Sequence, residues 1–305
     1  PYLIEKRIPG CKYDVFHHGE EFLILTNIDQ AEDYKVLIAP QLFPGRENWK
    51  DLIPHKSGVL ILSIKIFEKF WVRIERVNGL ERLIVTQFKP IKSHNIIFKE
   101  MAYSLKLGES YEFKTSNFYF HYSSMSTPDT IYKYNVKKQK RSIEKKTKIP
   151  SGHCPENYKI EKVLALAPDG ESVPVSLIYR KDTQINGTAP LLLYGYGSYG
   201  VSVPSGFSAS RLSLIDRGFV FAIAHVRGGM EKGYRWYKTG RRNLKKNTFS
   251  DFIAVAEFLV NKKYTAEGLI VGHGGSAGGM LVAACMNMRP EIFGAIIAEV
   301  PFVDV

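Results

Sequence analysis

One stretch narrows what this chain can fold into more than any other: Leu269–Ile270–Val271–Gly272–His273–Gly274–Gly275–Ser276–Ala277–Gly278–Gly279–Met280. A short apolar run with β-branched Ile270 and Val271 enters Gly-x-Ser-x-Gly, with Gly274, Ser276 and Gly278 in the fixed places. A helix-compatible segment follows, Met280 to Met288. Strand, sharp turn and helix is the arrangement that lifts a nucleophile out of a sheet. The glycines answer a steric demand. The serine backbone is strained there, and a side chain two residues away on either side collides where the turn packs on its neighbours. The turn presents the Ser276 hydroxyl, and the Ala277 N–H at the start of the helix is aimed at a developing oxyanion. Gly-rich serine segments are also common as plain loops. The strand before and the helix after set this one apart, and Ser276 is the candidate nucleophile.

A chain of 305 residues, 45% of them hydrophobic, has room for two domains and a large core. Cys11, Cys154 and Cys285 are far apart and form no metal-type or CxxC spacing, which fits a reducing, cytoplasmic setting without disulfides. No apolar run approaches membrane-spanning length and no signal-peptide pattern opens the chain, so no membrane partner is expected. The first residue is Pro1 rather than methionine, which suggests processing or a fragment. Residues 151–305 carry 17 Lys+Arg against 13 Asp+Glu, leaving 25 against 17 for the first 150 and most of the net charge of +12. Much of that excess lies between Lys133 and Lys148. A basic run can bind nucleic acid, but no binding motif accompanies this one, and it reads as a solvated strand edge running into a linker.

Residues 1–150 read as all-β. Strand candidates recur at Glu21–Asn27, Tyr34–Ile38, Val59–Phe67, Lys69–Arg76, Glu81–Gln87, Tyr111–Thr115, Phe118–Ser123 and Thr130–Asn135. Several alternate apolar and polar residues, and turn residues such as Asn78–Gly79 separate them. Grouped by fours they repeat roughly every 45 residues, the spacing of propeller blades, with a sandwich as the alternative. The composition changes at Ile149–Pro155, a Pro/Gly-bounded hinge. In residues 151–305 strands alternate with helices. A hairpin surrounds Pro168–Asp169–Gly170, buried-type strands fall at Leu191–Tyr194 and Phe219–Val226, and helices at Ala209–Asp216 and Phe249–Asn261, the latter capped by Thr248 or Asn247. A further strand is expected at Gly294–Val300. This is the pattern of a parallel sheet covered by helices, an α/β-hydrolase domain in part, preceded by a β-rich half that is part of a β-propeller or else a sandwich.

A second chemical stretch, Tyr194–Gly195–Tyr196–Gly197–Ser198–Tyr199–Gly200, follows a buried strand. In such folds the loop after this strand supplies the second oxyanion donor, and a preorganised tyrosine hydroxyl serves as well as a backbone N–H. Tyrosines packed over glycines for structure alone are the alternative. Together with His225–Gly233 (HVRGGMEKG), Lys245–Phe252 (KKNTFSDF), Gly274–Leu281 (GGSAGGML) and the closing RPEIFGAIIAEVPFVDV, the chain resembles the prolyl oligopeptidase family of serine peptidases. Within that family it is most similar to the branch that cleaves after basic residues. Ser123–Asn135 and Pro168–Lys181 extend the resemblance over nearly the whole chain.

The resemblance implies a propeller over an α/β-hydrolase domain, and hydrolysis of short peptides after Arg or Lys with no metal or organic cofactor. Ser276 matches the nucleophile, Tyr196 the side-chain oxyanion donor and Ala277 the backbone donor, with Gly274 and Gly278 shaping the turn. His225–Gly229 matches a segment read as structural. Met230 stands where the family usually has glycine, which adds strain if that position needs positive φ.

A working serine needs a histidine base and a carboxylate to orient it, in the chain order Ser, Asp, His. All eight histidines precede Ser276, and Asp304 is the only aspartate after it. His273, on the elbow strand, and Asp304 are both read as structural. The resemblance places the missing acid and histidine, and the acidic residues that receive the substrate's basic side chain, beyond residue 305. The expectation is a fragment of a longer peptidase, or one piece of a split gene completed by a complementary chain, inactive by itself, or else a non-catalytic remnant.

Overall fold

The computed structural model describes residues 3–301 and 303. Twelve strands form three four-stranded antiparallel meanders. The first is β1 (Tyr13–His18), β2 (Glu21–Thr26), β3 (Lys35–Pro40) and β4 (Lys50–Ile53). The second is β5 (Val59–Ile66), β6 (Phe70–Val77), β7 (Leu80–Gln87) and β8 (Lys92–Ile96). The third is β9 (Tyr103–Leu107), β10 (Asn117–Ser124), β11 (Thr130–Asn135) and β12 (Lys140–Lys146). These are three propeller blades. They stack face to face because alternation along each strand leaves both faces apolar at the blade centre. Leu23, Leu25 and Val36 of the first blade share a core with Ile61, Ile64 and Trp71 of the second. Phe70, Val72 and Leu83 of the second share another with Phe118, Phe120 and Tyr134 of the third. In β12 every residue is exposed.

The six-stranded sheet runs in the order β13-β14-β16-β15-β17-β18. Its strands are β13 (Tyr158–Leu166), β14 (Ser172–Arg180), β15 (Leu191–Tyr194), β16 (Val220–Ala224), β17 (Ile270–Gly275) and β18 (Phe293–Glu299). The hairpin β13–β14 is antiparallel and joins β16 antiparallel, whereas β16, β15, β17 and β18 are mutually parallel. Among the described residues four helices accompany it: α1 (Ala209–Ile215), α2 (Tyr234–Lys238), α3 (Lys246–Asn261) and α4 (Ala277–Met288). Phe252, Val255, Ala256 and Leu259 of α3, with Leu281 and Val282 of α4, bury one face of the sheet. Leu212 and Ile215 of α1, together with Ala102 and Met125 of the third blade, pack on the other. No helix among the described residues is long and apolar enough to cross a membrane.

Two local expectations are corrected. Tyr111–Thr115 is not a strand: β9 and β10 already supply the third blade, and Tyr111 stands almost fully exposed in the loop between them. The helix expected from Phe249 starts at Lys246, and neither Asn247 nor Thr248 caps it. Both face back instead, Asn247 Nδ2 donating to the Thr239 carbonyl at 3.0 Å and Thr248 Oγ1 to that of Gly240 at 3.1 Å.

Candidate active site

The parallel strands β15 and β17 lie side by side in register, Tyr194 opposite His273. Their carboxyl ends therefore deliver the two glycine-rich loops to one place, as open α/β sheets do for ligands. At the end of β17 the chain turns through Ser276 with φ 52° and ψ −115°, and α4 begins at Ala277. A side chain on Gly274 would run into the Gly278 carbonyl, and one on Gly278 would come within 2.5 Å of the Gly195 carbonyl oxygen and 3.3 Å of Tyr196 Cα. The elbow and the tyrosine loop are thus packed backbone to backbone, which only glycine permits. The Ser276 N–H donates to the Glu299 carbonyl at 2.8 Å, tying the turn to the end of β18. Ala277 is fully buried as a residue, and among the described residues its N–H has no acceptor, as befits the first turn of a helix.

On the opposite side the Gly195 N–H donates to the His273 carbonyl at 3.1 Å, continuing the β15–β17 ladder into the loop. Gly195 is wedged against Phe252, 2.7 Å from where its Cβ would stand. Tyr196 is half-buried, and its hydroxyl and the Ser276 hydroxyl have no hydrogen-bond partner among the described residues. The structure thus brings the Ser276 hydroxyl, the Ala277 N–H and the Tyr196 loop onto adjoining segments.

His273 and His225 are each engaged with other groups. His273 packs edge-on against Tyr194, ring centroids 5.2 Å apart, and its Nε2 faces Glu299 Oε2 at 3.3 Å. His225 is buried, its Nε2 2.8 Å from Ser176 Oγ and its Nδ1 3.6 Å from Glu231 Oε1. Asp304 lies outside the described residues. No group of three or more His, Cys, Asp or Glu side chains among the described residues converges as a metal site would require.

The model of the prolyl oligopeptidase family matches residues 205–305, and that of the prolyl oligopeptidase N-terminal beta-propeller domain matches residues 1–147. The chain belongs to the prolyl oligopeptidase family. Among its relatives, dipeptidyl aminopeptidase BI of Pseudoxanthomonas mexicana is 42% identical over 304 residues, 99% of this chain and 42% of that protein. Protease 2 of Moraxella lacunata is 33% identical over 303 residues, 99% of this chain and 43% of that one. Oligopeptidase B from Leishmania major superposes with a TM-score of 0.88 at 39% identity, covering 97% of this chain and 43% of that structure's. The chain spans less than half the length of these relatives.

The family segment His225–Gly233 underlies the tyrosine loop. A side chain on Gly228, at φ 100°, would strike the Gly197 carbonyl. Arg227 is buried and forks onto Asp251 of α3, with Nε 2.9 Å from Oδ2 and Nη2 2.5 Å from Oδ1, while Nη1 reaches Asp169 in the β13–β14 turn. Burial pushes the Asp251 carboxyl upward, and its bonds to Arg227 oppose that shift. The strain expected at Met230 is absent. Its φ is not positive, and its side chain lies over Gly200, where a Cβ would clash. The left-handed positions are the neighbouring Gly228 and Gly233. Lys245–Phe252 carries a family likeness in the sequence and no further sign of its role. Its acidic member, Asp251, turns out to anchor the segment beneath the loop, and nothing in the spacing of KKNTFSDF signals a partner 24 residues earlier.

Proposed function

We propose that these residues form part of a serine oligopeptidase that hydrolyses short peptides, after Arg or Lys, through an acyl-enzyme on Ser276. Ser276 Oγ attacks the scissile carbonyl, the Ala277 N–H and the Tyr196 hydroxyl receive the oxyanion, and water releases the acid product. The strained turn of Ser276 between β17 and α4 is the observation that carries this reading. Basic-residue preference rests on the resemblance of the motifs and on the likeness to protease 2 and oligopeptidase B. A histidine base and its carboxylate must come from other polypeptide, whether an extension of this chain or a complementary one. The 305 residues alone are accordingly expected to be inactive. We place the division between the propeller part and the hydrolase part at residues 150 and 151.

Identity to dipeptidyl aminopeptidase BI favours a second reading, the release of dipeptides from free amino termini. Substrates blocked at the amino terminus separate the two, since only the first reading predicts their cleavage. For the chemistry itself, native lysate is treated with a fluorophosphonate and blotted with an antibody to this chain, with Ser276→Ala as control. A Ser276-dependent labelled band well above 34.6 kDa supports the proposal. A labelled band at 34.6 kDa overturns the need for a histidine from elsewhere, and no labelled band overturns the peptidase reading.

A further inference from the structure

Lys245 stands just ahead of α3 and reaches back to the tyrosine loop. Its Nζ donates to the Gly197 carbonyl at 2.5 Å and to Ser198 Oγ at 2.8 Å, the two residues that follow Tyr196. Gly197 has no freedom to move away. At φ 64° its missing side chain would meet Thr248 and come within 2.7 Å of Val226 Cγ2, and its carbonyl oxygen sits against the Cα face of Gly228. That carbonyl is therefore turned inward and enclosed, and the lysine answers it. A surface lysine ordinarily leaves its ammonium in water. This one is half-buried on two neutral acceptors, and no carboxylate among the described residues pairs with it.

We propose that Lys245 is a positioning residue that pins the Gly197–Ser198 peptide and so fixes the direction in which Tyr196 presents its hydroxyl to the oxyanion. This rests on the reading of Tyr196 given above. Holding a hydroxyl donor in place before charge develops is what makes such a donor effective, and a loosened loop forfeits part of that gain.

The titratable and charged groups on the segments that meet at Lys245 are Tyr196 and Tyr199 in the loop, Arg241, Arg242 and Lys246 on its own segment, and Arg227 next to Gly228, already committed to Asp251 and Asp169. Burial alone pushes the Lys245 ammonium down to about 8. Released into water it would return to about 10.4. The docked loop thus binds fewer protons than the released loop between those values, so docking strengthens as the pH rises through that window.

The test follows hydrogen-exchange protection of the loop amides, among them Gly195, Gly200 and Val201, which donate to His273, Gly228 and Ser198. Amides of α4 serve as the internal reference, and the rate of fluorophosphonate labelling at Ser276 is read in parallel, both on the native polypeptide or complex that also supplies the histidine and carboxylate. Lys245→Met should lower both loop protection and labelling about tenfold at neutral pH while α4 is unchanged. Lys245→Arg should restore both to within about threefold, yet lack the wild-type gain between pH 8 and 10, because guanidinium does not titrate there. Unchanged protection in Lys245→Met overturns the anchor, and lost protection with unchanged labelling overturns the positioning role. Wild-type protein that never labels counts against the proposed function instead, while loop protection still decides whether Lys245 is the anchor.

Discussion

Ser276 occupies φ 52° and ψ −115°, a conformation that costs a residue bearing a Cβ about 1–3 kcal/mol. Ser276→Gly relieves that cost and Ser276→Ala does not. The glycine variant should therefore be more stable than the alanine variant by about 1 kcal/mol, read as a higher urea midpoint. Equal midpoints would show that the turn is unstrained. This feature was legible in the sequence, because Gly274 and Gly278 are spaced as such a turn demands and the structure finds them in backbone contact with Gly278 and Gly195. Lys245 was not legible. A lysine followed by Lys246, after Arg241 and Arg242, reads as solvated surface, and only the fold brings it to Gly197. Strain at Met230 was expected only if that position needed positive φ, and it does not. The likeness marks a position as unusual, but it does not say which neighbouring glycine carries the positive φ.

At the scale of elements, α3 does more than cover the sheet. Asp251 holds Arg227, and through it the segment on which the tyrosine loop rests. Asp251→Asn leaves a buried guanidinium with only Asp169 as an anionic partner and should destabilise the protein by about 3–5 kcal/mol. Chemical denaturation measures this, and a loss below about 1 kcal/mol would mean that Asp169 suffices. Inner strands such as β6, β7 and β15 announced themselves as apolar runs because they are buried. The outer strands β4 and β8 went unseen, as did β1 and β9, and β12 was read only as a solvated edge. Lys50–Ile53, Lys92–Ile96 and Lys140–Lys146 are largely solvated, so burial imposes little alternation on them, and hydrogen bonding to a neighbour alone makes them strands. Tyr111 and Phe113 mimic the alternation without a neighbour to pair with.

Across the whole molecule, the blades grip the loops beside the candidate site. Asp33, buried between the first and second blades, accepts the Tyr234 N–H at the start of α2 and the Gly58 N–H, each at 2.6 Å. Glu32 pairs with Lys238 at 2.5 Å, and the Gly79 N–H donates to the Glu231 carbonyl at 2.7 Å. Asp33→Ala should cost about 1–2 kcal/mol and speed proteolysis within Gly229–Thr239 more than elsewhere. A uniform rise in cleavage would instead mean that Asp33 supports the fold as a whole. The parallel sheet was readable from the alternation of strands and helices, and the blades from the repeat period once the family resemblance decided against a sandwich, whereas the grip between them joins residues some 200 apart and leaves no local trace. The basic stretch expected as a solvated edge has a further consequence. β12 ends the third blade with lysines at 140, 145 and 146 and Arg141 in an entirely exposed strand. Laid antiparallel edge to edge about Ile143, two copies would set Lys140 against Lys146 and Arg141 against Lys145, like charges at both ends of the seam. The blade's outer rim is thereby kept from templating fibrils of its own kind.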